Sequence, residues 1–197
     1  MLKIGITGGM GSGKTTVCRM FEVLGIPIFY ADDAAKSLMN TDLSLKRNII
    51  EGFGLNSYSD KGELNRKYIS ATVFNNEQKL GMLNAMVHPA VFRAFDDWVM
   101  KQTAAPYVIK EAALLFESDS HKMCDQSVLI KSPEALRIQR IIKRDVTTQE
   151  EIKLRMIRQF SDERKENMAD HVILNDEQNL IIPQILDLHQ QFLKMTL

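Results

Sequence analysis

The chain has 197 residues, 45% hydrophobic and 25% charged, with 25 basic side chains balanced by 25 acidic ones. That length suits one compact domain with a real core and room for an insert. Zero formal charge argues against a protein built around nucleic acid, which carries a basic surplus. No apolar run approaches a membrane span, and the chain opens on a short strand rather than a signal peptide. Cys18 and Cys124 make no disulfide framework and fit a reducing cytoplasm. His121 and Cys124 have a ligand-like spacing but lack the second pair that a zinc site needs. Nothing in the composition separates a monomer from a small homo-oligomer.

Residues 2–7 alternate apolar and other side chains as a short buried strand does. Residues 5–16 then read GITGGMGSGKTT, matching G-x-x-x-x-G-K-[ST] at Gly8, Gly13, Lys14 and Thr15. A helix is expected next, with Val17, Met20, Phe21 and Leu24 on one apolar stripe and Gly25 ending it. Strand, glycine loop and helix together make a nucleotide phosphate site. Gly9, Gly11, Ser12, Gly13 and Thr16 bring backbone amides and a helix N-terminus to the phosphates. Lys14 is expected to reach the β- and γ-phosphates of ATP, and Thr15 to offer its hydroxyl to Mg²⁺.

Further strands are expected at 26–30, 106–110, 126–130 and 171–174, with helical patterns between them. That alternation implies an α/β fold: a parallel sheet covered on both faces, with every strand C-terminus on one edge. Residues 41–105 hold no convincing strand and read as a helical insert.

The second strand runs into YADDAAK. Asp32 lies just past it, where a carboxylate can take a proton from an attacking hydroxyl or hold a metal-bound water. Asp33 reads as a helix cap or a solvated charge. Glu111 ends the third strand, where it is either a metal-linked acid or a surface charge, and Glu117 either caps the next loop or faces the substrate. Ser132 and Pro133 mark a helix start, with Ser132 as N-cap. Arg137, Arg140 and Arg144 then share one face at i, i+3 and i+7. Thr148 and Glu151 form a capping box for the next helix. Residues 131–165 carry ten basic and six acidic side chains, so a neutral chain concentrates positive charge there. This favours a phosphate-clamping lid with Arg140 as its leading catalytic candidate, rather than a merely solvated face. Phe92, Phe95 and Trp98 read as a packed helix face. His88, between Val87 and Pro89, is either a core histidine or a ligand contact. A terminal helix is expected over 180–195, interrupted early by Pro183.

TGGMGSGKTT, ADDAAK, VHPAV, LLFES, SPEALRIQRIIKRD and ADHVILND together resemble the dephospho-CoA kinase family, in order and over essentially the whole chain. The resemblance implies a three-layer P-loop NTPase fold with a five-stranded parallel sheet, a helical acceptor-binding insert and a helical lid. It implies a nucleotide-binding core at 1–40, 106–136 and 166–197, an acceptor domain at 41–105 and a lid at 137–165. The implied reaction is transfer of the ATP γ-phosphate to the ribose 3′-hydroxyl of dephospho-CoA, the last step of coenzyme A synthesis. By similarity Asp32 activates that hydroxyl, Lys14, Arg140 and Arg144 serve the phosphates, Arg66 and His88 lie near the acceptor, and Asn175 lies near the adenine. Mg²⁺ is the implied metal, with Thr15 as donor, and whether Glu111 is a second donor stays open at this point. Two departures stand out. Tyr30 replaces the first of two acids usual in this family, and Ala113 replaces a proline. A kinase of another small metabolite or nucleotide is the alternative. A GTP-binding switch is disfavoured, because neither D-x-x-G nor N-K-x-D occurs.

Overall fold

The structure, a computed structural model, describes residues 1–74 and 76–196. Strands β1 (Leu2–Gly8), β2 (Ile28–Tyr30), β3 (Tyr107–Glu111), β4 (Gln126–Lys131) and β5 (His171–Leu174) form one sheet in the order β2-β3-β1-β4-β5. Every neighbouring pair is parallel. The five strands expected from the sequence are therefore the five observed, each shifted by at most two residues. In β3, Tyr107 and Ile109 face one layer and Val108 and Lys110 the other, all of them buried. A strand covered on both faces has no polar side to show.

Helix α1 (Lys14–Val23) packs Val17, Cys18 and Phe21 onto the sheet. It ends in a Schellman turn: Gly25 N–H donates to the Glu22 carbonyl at 2.9 Å and Ile26 N–H to that of Phe21 at 3.0 Å. Gly25 has φ +83°, so the glycine expected to stop this helix does so in the left-handed region.

Helices α2 (Ala31–Thr41), α3 (Leu43–Phe53), α4 (Arg66–Val73) and α5 (Glu77–Met100) follow β2. Helix α2 starts at Ala31, so Asp32 and Asp33 occupy its first turn rather than capping it. There both carboxylates favour the positive helix end, and Asp33 pairs with Lys36 at 2.7 Å. By its contacts the chain divides into a sheet unit (1–30 and 99–197) and a helical unit (31–98). The helical unit has its own apolar centre in Leu45, Ile49, Phe53, Ile69, Val87, Val91 and Phe95. Phe95 stacks on Trp98 with ring centroids 6.3 Å apart, and His88 stacks on Phe92 at 6.1 Å, consistent with a packed face along α5.

Helices α6 (Glu134–Arg144), α7 (Gln149–Met156), α8 (Asp162–Met168) and α9 (Ile181–Met195) complete the sheet unit. The Thr148–Glu151 capping box forms as expected. Ser132 does not cap α6: Pro133 takes the cap position, and the buried Ser132 hydroxyl accepts a hydrogen bond from Arg140 at 3.1 Å instead. Pro183 does not interrupt α9. It falls in the first turn, where a missing N–H leaves no helical bond unmade.

Helix α9 closes the core with Ile185, Leu188 and Phe192. Beside them the buried Tyr107 shares a 2.7 Å hydrogen bond with His189 Nδ1. Burial holds His189 below its ordinary value near 6.5, so the folded chain protonates there less readily than the unfolded one. The neutral histidine thus contributes stability at higher pH and loses it as acid protonates the ring. Between about pH 8 and about pH 5, urea denaturation should show a shallower loss of stability for His189→Gln than for the parent chain.

Candidate active site

The C-terminal ends of all five strands lie on one edge, and the connection from β1 to α1 crosses it at the sheet centre. This is the crevice where open α/β sheets bind ligands. Gly13 caps α1 with φ +94° and no side-chain hydrogen bond. With no capping side chain at Gly13, the N-terminus of α1 can offer its positive end to an anion. Thr15 and Thr16 are exposed. Lys14 Nζ bridges the loop, donating to the Gly8 carbonyl at 3.0 Å and the Gly9 carbonyl at 3.5 Å.

Two glycines are fixed by their neighbours as well as by the ligand. A Cβ at Gly9 would run into the guanidinium of Arg137, and one at Gly13 into the side-chain amide of Asn175. Asn175, just past β5, donates from Nδ2 to the carbonyl of the buried Ser12 at 2.7 Å. It thus ties the strand edge to the loop.

Arg140 and Arg144 line a cleft of about 220 Å³ with Gly11, Gly13, Lys14, Thr15 and Thr16. The Arg140 guanidinium donates to the Asn175 carbonyl at 3.3 Å and pairs with Glu177 at 3.1 Å. Arg144 is largely exposed and held by its neighbour Asp145 through bonds of 2.9 and 2.8 Å. An exposed pair of this kind holds weakly, so the guanidinium is available to a better anion. Arg137 departs from the expected arginine face. It is buried at 7% exposure, pairs with Asp162 at 2.8 Å and lies against Gly9 outside this cleft.

Glu111 ends β3, buried at 6% exposure and in register with Ile6 and Tyr30. It is a core-edge acid, not a surface charge. Burial pushes the thiol of Cys18 far up, with the Glu111 carboxylate adding to the rise and Lys14 opposing it. Tyr30 donates to Glu22 Oε1 at 3.1 Å, and burial together with the charge of its neighbours holds its phenol neutral. It supplies no second carboxylate.

Glu117 is an internal support. Its Oε1 accepts the Phe160 N–H at 2.8 Å and stands 3.1 Å from the fully buried Lys165 Nζ. Among the described residues no group of three or more His, Cys, Asp and Glu could hold a metal ion. Mg²⁺ at a kinase site needs no such cage, since it takes one or two protein oxygens with phosphates and waters. The Thr15 hydroxyl and Glu111 carboxylate have the right hard-oxygen chemistry. Asp32, Arg66 and His88 belong to the helical unit: Asp32 in the first turn of α2, Arg66 exposed at the start of α4, and His88 half-buried on α5.

The dephospho-CoA kinase family model matches residues 2–180. The chain belongs to the dephospho-CoA kinase family. It is 40% identical over 180 residues to dephospho-CoA kinase of Salinibacter ruber, covering 89% of each chain. It is 41% identical over 182 residues to that of Chlorobium chlorochromatii, covering 89% of this chain and 85% of the relative. Among solved structures it is similar to TT1252 from Thermus thermophilus, with a TM-score of 0.81 and 29% identity over 98% of this chain and 97% of that one. The P-loop fold class read from the residues is thereby shown.

Sequence reasoning missed Met10, Gln159 and Asp162, all of which contact or brace the loop. A polar residue between two helices carries no local mark of such a role. The Gly9–Arg137 contact yields a direct test. Gly9→Ala should displace the guanidinium and the loop with it, weakening Mg-ATP binding by about tenfold or more in a calorimetric titration.

Proposed function

We propose that the chain transfers the γ-phosphoryl group of ATP to the ribose 3′-hydroxyl of dephospho-CoA, giving coenzyme A and ADP. One observation carries this reading within the family: the anion-binding start of α1 opens into a cleft that two further cations, Arg140 and Arg144, share with it. Loop amides and Lys14 hold the β- and γ-phosphates, exchanging the Gly8 and Gly9 carbonyls for phosphate oxygens at Lys14 Nζ. Asn175, placed beside Gly13 and Ser12, serves the nucleotide side. Thr15 and Glu111 would hold Mg²⁺, which supplies charge neutralisation across the phosphates.

Asp32 takes the proton of the 3′-hydroxyl as that oxygen attacks the γ-phosphorus in line and the bond to the ADP oxygen breaks. The motif and its position two residues beyond β2 support that role. Arg140 and Arg144 then neutralise the charge spread over the transferred group. We assign residues 137–165 to a lid that excludes water and the helical residues 41–105 to acceptor binding, with Arg66 and His88 toward the acceptor. A cytoplasmic location without a nucleic-acid or membrane partner belongs to the same reading, and the two free cysteines and the neutral overall charge support it.

ADP release from Mg-ATP, measured with and without dephospho-CoA, tests the reading. Release should require the acceptor, the product should gain the mass of one phosphate, and Lys14→Ala should abolish turnover. ADP formed equally without acceptor would refute the acceptor assignment. For the base, Asp32→Asn should lower kcat by about 10²-fold or more with substrate binding retained, and wild-type turnover in that variant would remove Asp32 from the mechanism. Arg140→Ala should act mainly on kcat, since its charge meets the transition state more strongly than the ground state.

A further inference from the structure

The phosphate loop is gripped from outside by residues of the proposed lid itself. The half-buried side chain of Met10, in the middle of the loop, packs into a small apolar cluster made by Ile138 and Ile141 of α6 and Ile152 of α7. This cluster is distinct from the sheet core. Helix α7 packs through the buried Ile152 and the half-buried Met156, both in this cluster. The Met10 N–H donates to Gln159 Oε1 at 3.0 Å, and Gln159 Nε2 donates to the Ala113 carbonyl at 2.9 Å. One loop residue thus packs its side chain against the cluster in which α6 and α7 meet. Its backbone is fixed to the strand edge through Gln159.

We propose that Met10 is a positioning residue that couples α6 and α7 to the phosphate loop, while Gln159 fixes the direction of the Met10 amide. This rests on the reading that the arginines of α6 serve phosphoryl transfer. Arg140 and Arg144 project from the same helix as Ile138 and Ile141, so a shift of α6 that moves the guanidinium groups also bears on Met10. An amide in a curled loop can turn toward a phosphate or away from it. Gln159 removes that freedom from the Gly9–Met10 peptide, whose N–H it holds. Methionine suits the coupling because its unbranched chain keeps contact while a neighbour slides.

The test uses the full chain with Met10→Ala, Met10→Leu and Gln159→Ala. Transfer to dephospho-CoA is followed at steady state, and Mg-ATP binding by calorimetry. Met10→Ala should lower kcat by about tenfold while KM for dephospho-CoA stays within about twofold. Met10→Leu, which conserves volume, should restore kcat to within about twofold. Arg144→Ala should cost less in the Met10→Ala background than alone, because a loosened α6 no longer delivers the guanidinium. Gln159→Ala adds no cavity to the cluster and should raise KM for ATP by about threefold or more.

Wild-type kcat in Met10→Ala, or effects of Met10→Ala and Arg144→Ala that simply multiply, would overturn the coupling. An unchanged KM for ATP in Gln159→Ala would overturn the role of that side chain. If the parent chain transfers nothing to dephospho-CoA, the acceptor reading fails by itself, and calorimetry still decides the coupling. Met10→Ala must then weaken Mg-ATP binding more than Met10→Leu does, and equal binding would refute it.

Discussion

A loop that turns its amides inward to an anion must turn other polar groups outward, and those need partners. In this chain the outward groups are met one by one. Asn175 answers the Ser12 carbonyl, Gln159 answers the Met10 amide, and Lys14 answers the carbonyls of Gly8 and Gly9. These partners arrive because of strand order. With β4 and then β5 lying beside β1, whatever follows those strands falls on the loop: α6 after β4, and Asn175 after β5. The loop glycines belong to the same constraint. Gly9 and Gly13 are small because Arg137 and Asn175 already occupy the space of a Cβ, and not solely because a phosphate comes close.

The positive charge of residues 131–165 looks different once its partners are counted. Lys131, Arg137, Arg140, Arg144 and Lys165 are each ion-paired. The two deepest, Arg137 and Lys165, join the α8 segment to the loop and to Glu117. Buried pairs of this kind contribute little net stability, yet breaking one costs several kcal/mol, about 3–5, because a charge is left unpaired. They fix the position of residues 159–165 relative to the sheet edge. Arg140 and Arg144 differ in kind. Their partners Glu177 and Asp145 lie where water competes, so an incoming triphosphate can take both guanidinium groups.

Much of this was legible from sequence because it is local. Strand, glycine loop and helix are written within some twenty residues, and the Schellman glycine and the capping box within four or five. What was not legible depends on partners far along the chain. Met10 and Gln159 are 149 residues apart and Ser12 and Asn175 are 163 apart, and an asparagine or glutamine in a connection looks the same whether solvated or bonded. The misreading of Ser132 has a definite cause. A serine before a proline is the usual start of a helix, but here α6 begins one residue later and the hydroxyl turns to Arg140. The arginine spacing correctly put Arg140 and Arg144 together on one side of α6. It gave no hint that the first turn of α6 lies beneath the loop, which separates Arg137 from the other two.

Asp32 lies where the chain passes from one unit to the other. By packing it belongs to the helical unit, yet along the chain only Ala31 separates it from the end of β2. A base at this position would be carried on the first turn of α2, whereas the phosphate loop belongs to the sheet unit. The loss of a second acid at Tyr30 sharpens this division. A carboxylate there would belong to the sheet unit, whereas Tyr30 holds a neutral phenol bonded to Glu22.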